Sequence, residues 1–204
     1  ISILFSSTSG NYSNSTIINL SQSNNTKVNL NLILNCTIPS NNLNINTSLS
    51  FCPGIFNVNK VNINQSSNLN LFCDRTTLKD SIYISNQKNI TVVNCITKYI
   101  YVLGSTNVTL DSINISSGGS IITRGDYNIS YNVTLKNSVL YSASLSSCRN
   151  CIIYNNTFEN GFGLGLGSNS LVLNNTFKDN VNAIILNYIW NSSIYNNIFT
   201  GNSH

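Results

Sequence analysis

Methionine is absent from this 204-residue sequence, and histidine and tryptophan occur once each. With His204 as the single imidazole, a Ser–His or Cys–His mechanism has no credible base. Charge is scarce too, at 8% of residues against roughly 25% in an average soluble protein. The formal charge is +4, but Lys27, Lys60, Arg75, Lys79, Lys88, Lys98, Arg124, Lys136, Arg149 and Lys178 are scattered. They form no stripe that would neutralise a row of phosphates, so no nucleic-acid partner is expected. No apolar run reaches the roughly 18 residues of a membrane-spanning helix, and no membrane span is expected. Amphipathic 3.6-residue periodicity is missing as well, which argues against substantial helix. The chain starts at Ile1 without methionine, so a removed leader or an excised segment is expected. Six cysteines, an even number, fit an oxidising compartment. Together these features point to an exported protein, extracellular or at a cell surface.

What is abundant is Asn, Ser and Thr. Such a composition also describes disordered prion-like tracts. Here, however, Ile, Leu and Val recur at strand-like intervals along the whole chain, as a folded core requires. The polar residues belong to a repeated phrase, clearest at Asn150…Ile153-Tyr154-Asn155-Asn156-Thr157-Phe158, Asn169…Val172-Leu173-Asn174-Asn175-Thr176-Phe177 and Asn191…Ile194-Tyr195-Asn196-Asn197-Ile198-Phe199. Weaker copies start at Asn29, Asn46, Asn68, Asn89, Asn107 and Asn132. The starting asparagines step by 17, 22, 21, 18, 25, 18, 19 and 22 residues. Unequal steps suit a β-solenoid, in which insertions at the turns leave stacked strands in register.

Within a copy the residues one and three places after the first Asn are mostly apolar (Ile90 and Val92, Val108 and Leu110, Val133 and Leu135), and the residue between them is often Thr. That is strand alternation, one face in the core and one in solvent. A second apolar stretch follows about ten residues on, as in Leu164-Gly165-Leu166, so each coil supplies at least two strands. The Asn pair falls at the turn between them, where Asn tolerates left-handed backbone. Stacked there, Asn94, Asn137, Asn155, Asn174 and Asn196 are expected to form an internal amide ladder.

The N-x-x-[ILV]-x-N-N-x-F copies resemble the right-handed parallel β-helix repeats of the pectate-lyase-like and NosD-like families. The likeness is closest from Asn132 to Phe199 and extends back to Asn68. It implies an all-β, single-stranded right-handed parallel β-helix of about eight coils over residues 29–204. Residues 1–28 are then an N-terminal arm or cap. These families contain enzymes, adhesins and passive surface proteins, so the resemblance speaks to fold and leaves chemistry open.

Cysteines follow the coils. Cys36–Cys52 and Cys73–Cys95 would staple neighbouring coils, whose spacing of about 4.8 Å lies within disulfide reach. Cys148 and Cys151 would then form a local bridge; other pairings, Cys52–Cys73 among them, stay open. The C-x-x-C at Cys148-Arg149-Asn150-Cys151 has no second pair and no nearby His, so neither a zinc site nor a redox motif is expected. No cofactor is expected.

N-x-S/T sequons begin at Asn11, Asn14, Asn19, Asn24, Asn35, Asn46, Asn64, Asn89, Asn107, Asn114, Asn128, Asn132, Asn155, Asn174 and Asn191. Each is an N-glycan acceptor in an exported protein, although a chain this rich in Asn, Ser and Thr also produces sequons by chance. Asn46, Asn89, Asn107, Asn132 and Asn191 share the first position of their coils, so glycans there would project in a row. Asn155 and Asn174 are set apart, because their side chains are assigned to the internal ladder.

The acids are Asp74, Asp80, Asp111, Asp126, Glu159 and Asp179, and none recurs at one coil position in adjacent coils. A glycosidase pair or a calcium-dependent lyase site needs such a cluster. Arg124-Gly125-Asp126 is only a three-residue match to a cell-attachment motif. No catalytic residue and no metal ligand is therefore expected. The reading that follows is a structural protein whose partner is itself, assembling head-to-tail into a surface filament. Ile1, Ile3, Leu4 and Phe5 would meet Ile198 and Phe199 at the joint. A polysaccharide-binding or -cleaving β-helix with a carbohydrate partner, and a passive surface component or adhesin, are the alternatives.

Overall fold

The computed structural model describes residues 2–4, 17–19, 36–64, 67–123, 129–186 and 189–204. The expected boundary at residues 28/29 lies outside them, as do Ile1 and Phe5. Among the described residues there is no helix. Ser2–Leu4 and Ile17–Asn19 form a two-stranded antiparallel ladder, with Ile3 opposite Ile18. Every other strand pairing is parallel and joins one coil to the next, giving a β-solenoid of about seven turns.

Three stacks of inward side chains run the length of the solenoid. One is Leu49, Leu71, Val92, Leu110, Leu135, Ile153, Val172 and Ile194. Another is Leu43, Val61, Ile82, Ile100, Ile121, Ala143, Leu164 and Ile184. The third begins Phe56–Leu78 and continues through Thr97, Ile115, Leu140, Phe158, Phe177 and Phe199. Among the described residues each stack therefore has eight rungs, and each coil has three faces. Alternation puts every second residue of a strand into this core, where the interior members are almost all fully buried. At about 25 cal/mol per Å² of apolar area, burial that exists only between neighbours makes the stack, not the single coil, the stable unit.

The aromatic end of the third stack is a ring ladder. Phe158 lies 4.8 Å from Phe177, and Phe177 lies 5.1 Å from Phe199, with interplanar angles of 7° and 8°. On the outer surface Tyr83 stacks on Tyr101 at 4.4 Å, and Lys60 Nζ sits over the Tyr83 ring at 4.2 Å. Burial, together with Tyr83 alongside, raises the Tyr101 phenol above its usual pKa.

The corners explain the composition. Among the described residues, eighteen non-glycine residues have left-handed φ, and fifteen of them are Asn. An L-residue with a full side chain resists this region by roughly 1–2 kcal/mol, whereas Asn tolerates it. One corner carries Asn68, Asn89, Asn107, Asn132, Asn150, Asn169 and Asn191, all at φ between 50° and 59°. The next carries Arg75, Asn94, Ser112, Asn137, Asn155, Asn174 and Asn196. Asparagine is frequent because nearly every rung needs it twice.

Candidate functional site

Left-handed backbone at the first corner turns the asparagine side chains outward, and strand stacking sets them one above another. They bond to each other on the outside. Asn89 Nδ2 donates to Asn68 Oδ1 at 2.7 Å, Asn107 to Asn89 at 2.9 Å, Asn132 to Asn107 at 2.9 Å, and Asn150 to Asn132 at 3.3 Å. The glycan-candidate edge is therefore an exposed amide ladder. Each Nδ2 carries two hydrogens, and the ladder uses one of them.

The internal ladder runs through other residues than those expected. Asn94, Asn137, Asn155, Asn174 and Asn196 occupy the left-handed corner position and are exposed. It is the following residue that turns inward. Asn156 N and Nδ2 both donate to Asn175 Oδ1, at 2.9 and 3.0 Å, and Asn175 N and Nδ2 both donate to Asn197 Oδ1, at 2.9 and 3.0 Å. The same Nδ2 groups reach the carbonyls of Leu135 and Ile153. Below Asn156 the column changes chemistry but not direction: Ser138 N donates to Asn156 Oδ1, and Ile113 N donates to Ser138 Oγ. A second internal ladder, missed from sequence, joins Gly161 N to Asn180 Oδ1 at 3.1 Å and Asn180 N to Asn202 Oδ1 at 3.0 Å. Buried polar groups are tolerated here because each has partners.

This correction separates the sequons from the ladders of the interior. Asn46, Asn64, Asn89, Asn107, Asn114, Asn132, Asn155, Asn174 and Asn191 are all exposed. Asn156, Asn175, Asn180, Asn197 and Asn202 point inward, and none of them begins a sequon. Strand alternation supplies the reason: two residues after an outward Asn comes another outward position, suited to Thr or Ser, and two after Asn156 or Asn175 comes core Phe. Asn11, Asn14, Asn24, Asn35 and Asn128 lie outside the described residues, and Asn19 is described only through its strand.

Cys36 is bonded to Cys52, Cys73 to Cys95 and Cys148 to Cys151, with Cα–Cα distances of 4.9, 4.7 and 6.2 Å. The first two join successive coils. The third closes over the Asn150 corner, with both cysteines buried.

Asp74, Asp111 and Asp179 each pair with a basic side chain. Asp74 pairs with Arg75 at 3.7 Å on the open surface. Asp111 pairs across one rung with Lys136, Nζ to Oδ2 at 3.1 Å, and accepts from Asn137 Nδ2 at 2.9 Å and Ser112 Oγ at 3.0 Å. Burial works against ionisation of Asp111, but the hydrogen bonds from Asn137, Lys136 and Ser112 outweigh it and hold its carboxyl below the usual range. The Asp111 bond raises Lys136 in turn. Among the described residues no three His, Cys, Asp or Glu side chains come together as a metal site. Arg124 and Asp126 lie outside them.

The last described coil leaves its apolar side chains partly exposed. Ala183, Ile184, Leu186, Ile194 and Phe199 line a shallow apolar depression of about 560 Å³. Phe199 is 52% exposed, whereas Phe177, one rung earlier in the same stack, is fully buried. Ile198 beside it is also exposed. Ile3 and Leu4, the described part of the expected arm, are paired with Ile18 and Ile17 of their own chain.

No protein-family model matches the sequence, and no curated protein does. Among solved structures, the chain is similar to that of the Streptococcus pneumoniae surface protein and adhesin PfbA, at 14% identity and a TM-score of 0.42. The match covers 66% of this chain and 58% of that one, a little over half of its length.

Proposed function

We propose that this chain is an extracellular structural protein: a disulfide-stapled, N-glycosylated β-solenoid that stacks head-to-tail on copies of itself into a surface filament. Three disulfides in 204 residues support an oxidising compartment. Outward placement of the nine sequon asparagines from Asn46 to Asn191 named above supports accessible glycan acceptors.

The observation that carries the assembly is the match between the two ends. Among the described residues, the stacks that finish in Ile184, Ile194 and Phe199 start at Leu43, Leu49 and Phe56, which are only half-buried, and Thr37 pairs with Phe51 beside the second of them. A second copy set on the open end would continue all three apolar stacks and pair the free edge of the last rung with parallel strands. Such a contact uses different surfaces on the two partners, so it does not close and propagates as a fibre.

Sedimentation velocity over a range of concentrations tests this. Wild-type protein is expected to form concentration-dependent polymers, and Phe199→Asp and Phe56→Asp each to leave folded monomers with an unchanged β-type circular dichroism spectrum. A wild-type protein that stays monomeric at high concentration contradicts the proposal.

A further inference from the structure

We infer that Asn114 is an N-glycan site whose first sugar residue seats in the cleft beside it. The inference rests on the glycoprotein reading above and names one acceptor with a built seat.

The sequon Asn114-Ile115-Ser116 lies where the coil departs from its neighbours. The register slips between Ile115 and Ser120 against the preceding coil, and between Ile115 and Ile121 against the next. The extra residues Ser116, Ser117 and Gly118 stand out as a wall, with Gly118 at φ 76°. Tyr99 Oη donates to Gly118 O at 3.1 Å and braces that wall from the previous coil. Opposite stand Glu159 and Asn160, and Tyr141 lies between. Together they enclose a cleft of about 250 Å³, with Asn114 on its rim. That is below the roughly 300–1,000 Å³ of sites for larger ligands, so it suits one sugar ring, not a chain.

The lining has the chemistry a pyranose needs. Tyr141 offers an aromatic surface to ring C–H groups, its own orientation held edge-on by Phe162 at 6.4 Å and 79°. Glu159 accepts from hydroxyls in charge-assisted bonds, and the Ser116, Ser117 and Asn160 side chains donate and accept. Gly161 lets Tyr141 pass, since a Cβ there would meet the Tyr141 carbonyl oxygen.

Asn114 also differs from the first-corner acceptors. Asn89, Asn107 and Asn132 tie Nδ2 into the outer ladder, whereas the Asn114 side chain has no hydrogen-bond partner among the described residues. In the transfer, Asn114 Nδ2 bonds to the anomeric carbon of a saccharide carried on a lipid diphosphate. The anomeric C–O bond breaks, the diphosphate leaves with the electron pair, and one Nδ2 proton is released.

The test is site-resolved glycopeptide mass spectrometry of native protein, followed by timed enzymatic release of glycans from the folded chain. Asn114 is expected to be occupied and to lose its glycan about tenfold more slowly than Asn155, which stands at an exposed corner, a difference of about 1.4 kcal/mol. Tyr141→Ala and Glu159→Gln are each expected to abolish that difference without changing occupancy, as is denaturation of the wild type. A bare Asn114 beside occupied Asn155 or Asn174 overturns this inference and leaves the glycoprotein reading standing. Equal release rates from Asn114 and Asn155 overturn the seat. A chain without sugar at any sequon overturns both.

Discussion

Replacing Asn175 by Ala removes the centre of the internal ladder. Asn156 N loses its acceptor at 2.9 Å, and the Ile153 carbonyl loses a donor at 3.0 Å, both in the interior. A buried polar group left without a partner costs about 1–3 kcal/mol, so two such groups cost about 2–6 kcal/mol. Asn174→Ala, one residue earlier, touches no ladder and loses only the left-handed tolerance of Asn, about 1–2 kcal/mol. Because each coil contacts only its neighbours, the damage should stay in the coils around Asn175. Native-state hydrogen exchange reads this directly. The backbone amides of Asn156, Thr157 and Thr176 should exchange roughly 100-fold faster in Asn175→Ala, as about 3 kcal/mol requires, while those of Ile82 and Ile100 stay unchanged. If Asn175→Ala and Asn174→Ala prove equally mild, the internal ladder is not a structural element and the reasoning fails.

Asp111 has a folded-state pKa below its unfolded value, so its contribution is present above the unfolded pKa of about 3.9 and is lost as pH falls through the folded value. Urea midpoints of wild type and Asp111→Asn should therefore differ at pH 7 and converge as the pH falls through the folded-state pKa of Asp111; parallel curves would refute the network. Gly161→Ala should destabilise by about 1–3 kcal/mol through overpacking, since its Cβ would meet Tyr141 O, whereas Gly165→Ala, with nearest atoms at 3.7 Å, should be near neutral in the same urea titration. Removing the Cys73–Cys95 bridge, with a separation of 22 residues, should cost about 3 kcal/mol on loop entropy, against about 1.6 kcal/mol for Cys148–Cys151 with a separation of 3. Equal losses in midpoint for the two double-serine variants would contradict that ordering.

The solenoid was legible because its causes are local. Alternation around Ile90-Thr91-Val92 and Val108-Thr109-Leu110 marks a strand with one face in the core, and the recurring Asn marks corners that demand left-handed backbone. Which member of Asn155-Asn156 points inward was not legible from that pair, since either residue accepts a turn. The weaker copies held the signal. Cys95, Ser138 and Ile113 fill the second position, and an apolar Ile113 there belongs to an interior column. The Asp111–Lys136 network needs the register across the longest step, from Asn107 to Asn132, which residue types alone do not supply. The Asn114 cleft depends on a register slip and a standing wall at residues 116–118, and no periodicity predicts either.

Electron microscopy of the purified native protein tests the proposed assembly most directly. The eight rungs of the described residues span ~38 Å at about 4.8 Å each, so head-to-tail stacking predicts unbranched fibres with a regular axial repeat no shorter than ~38 Å. Discrete rods of a single subunit at every concentration would contradict it.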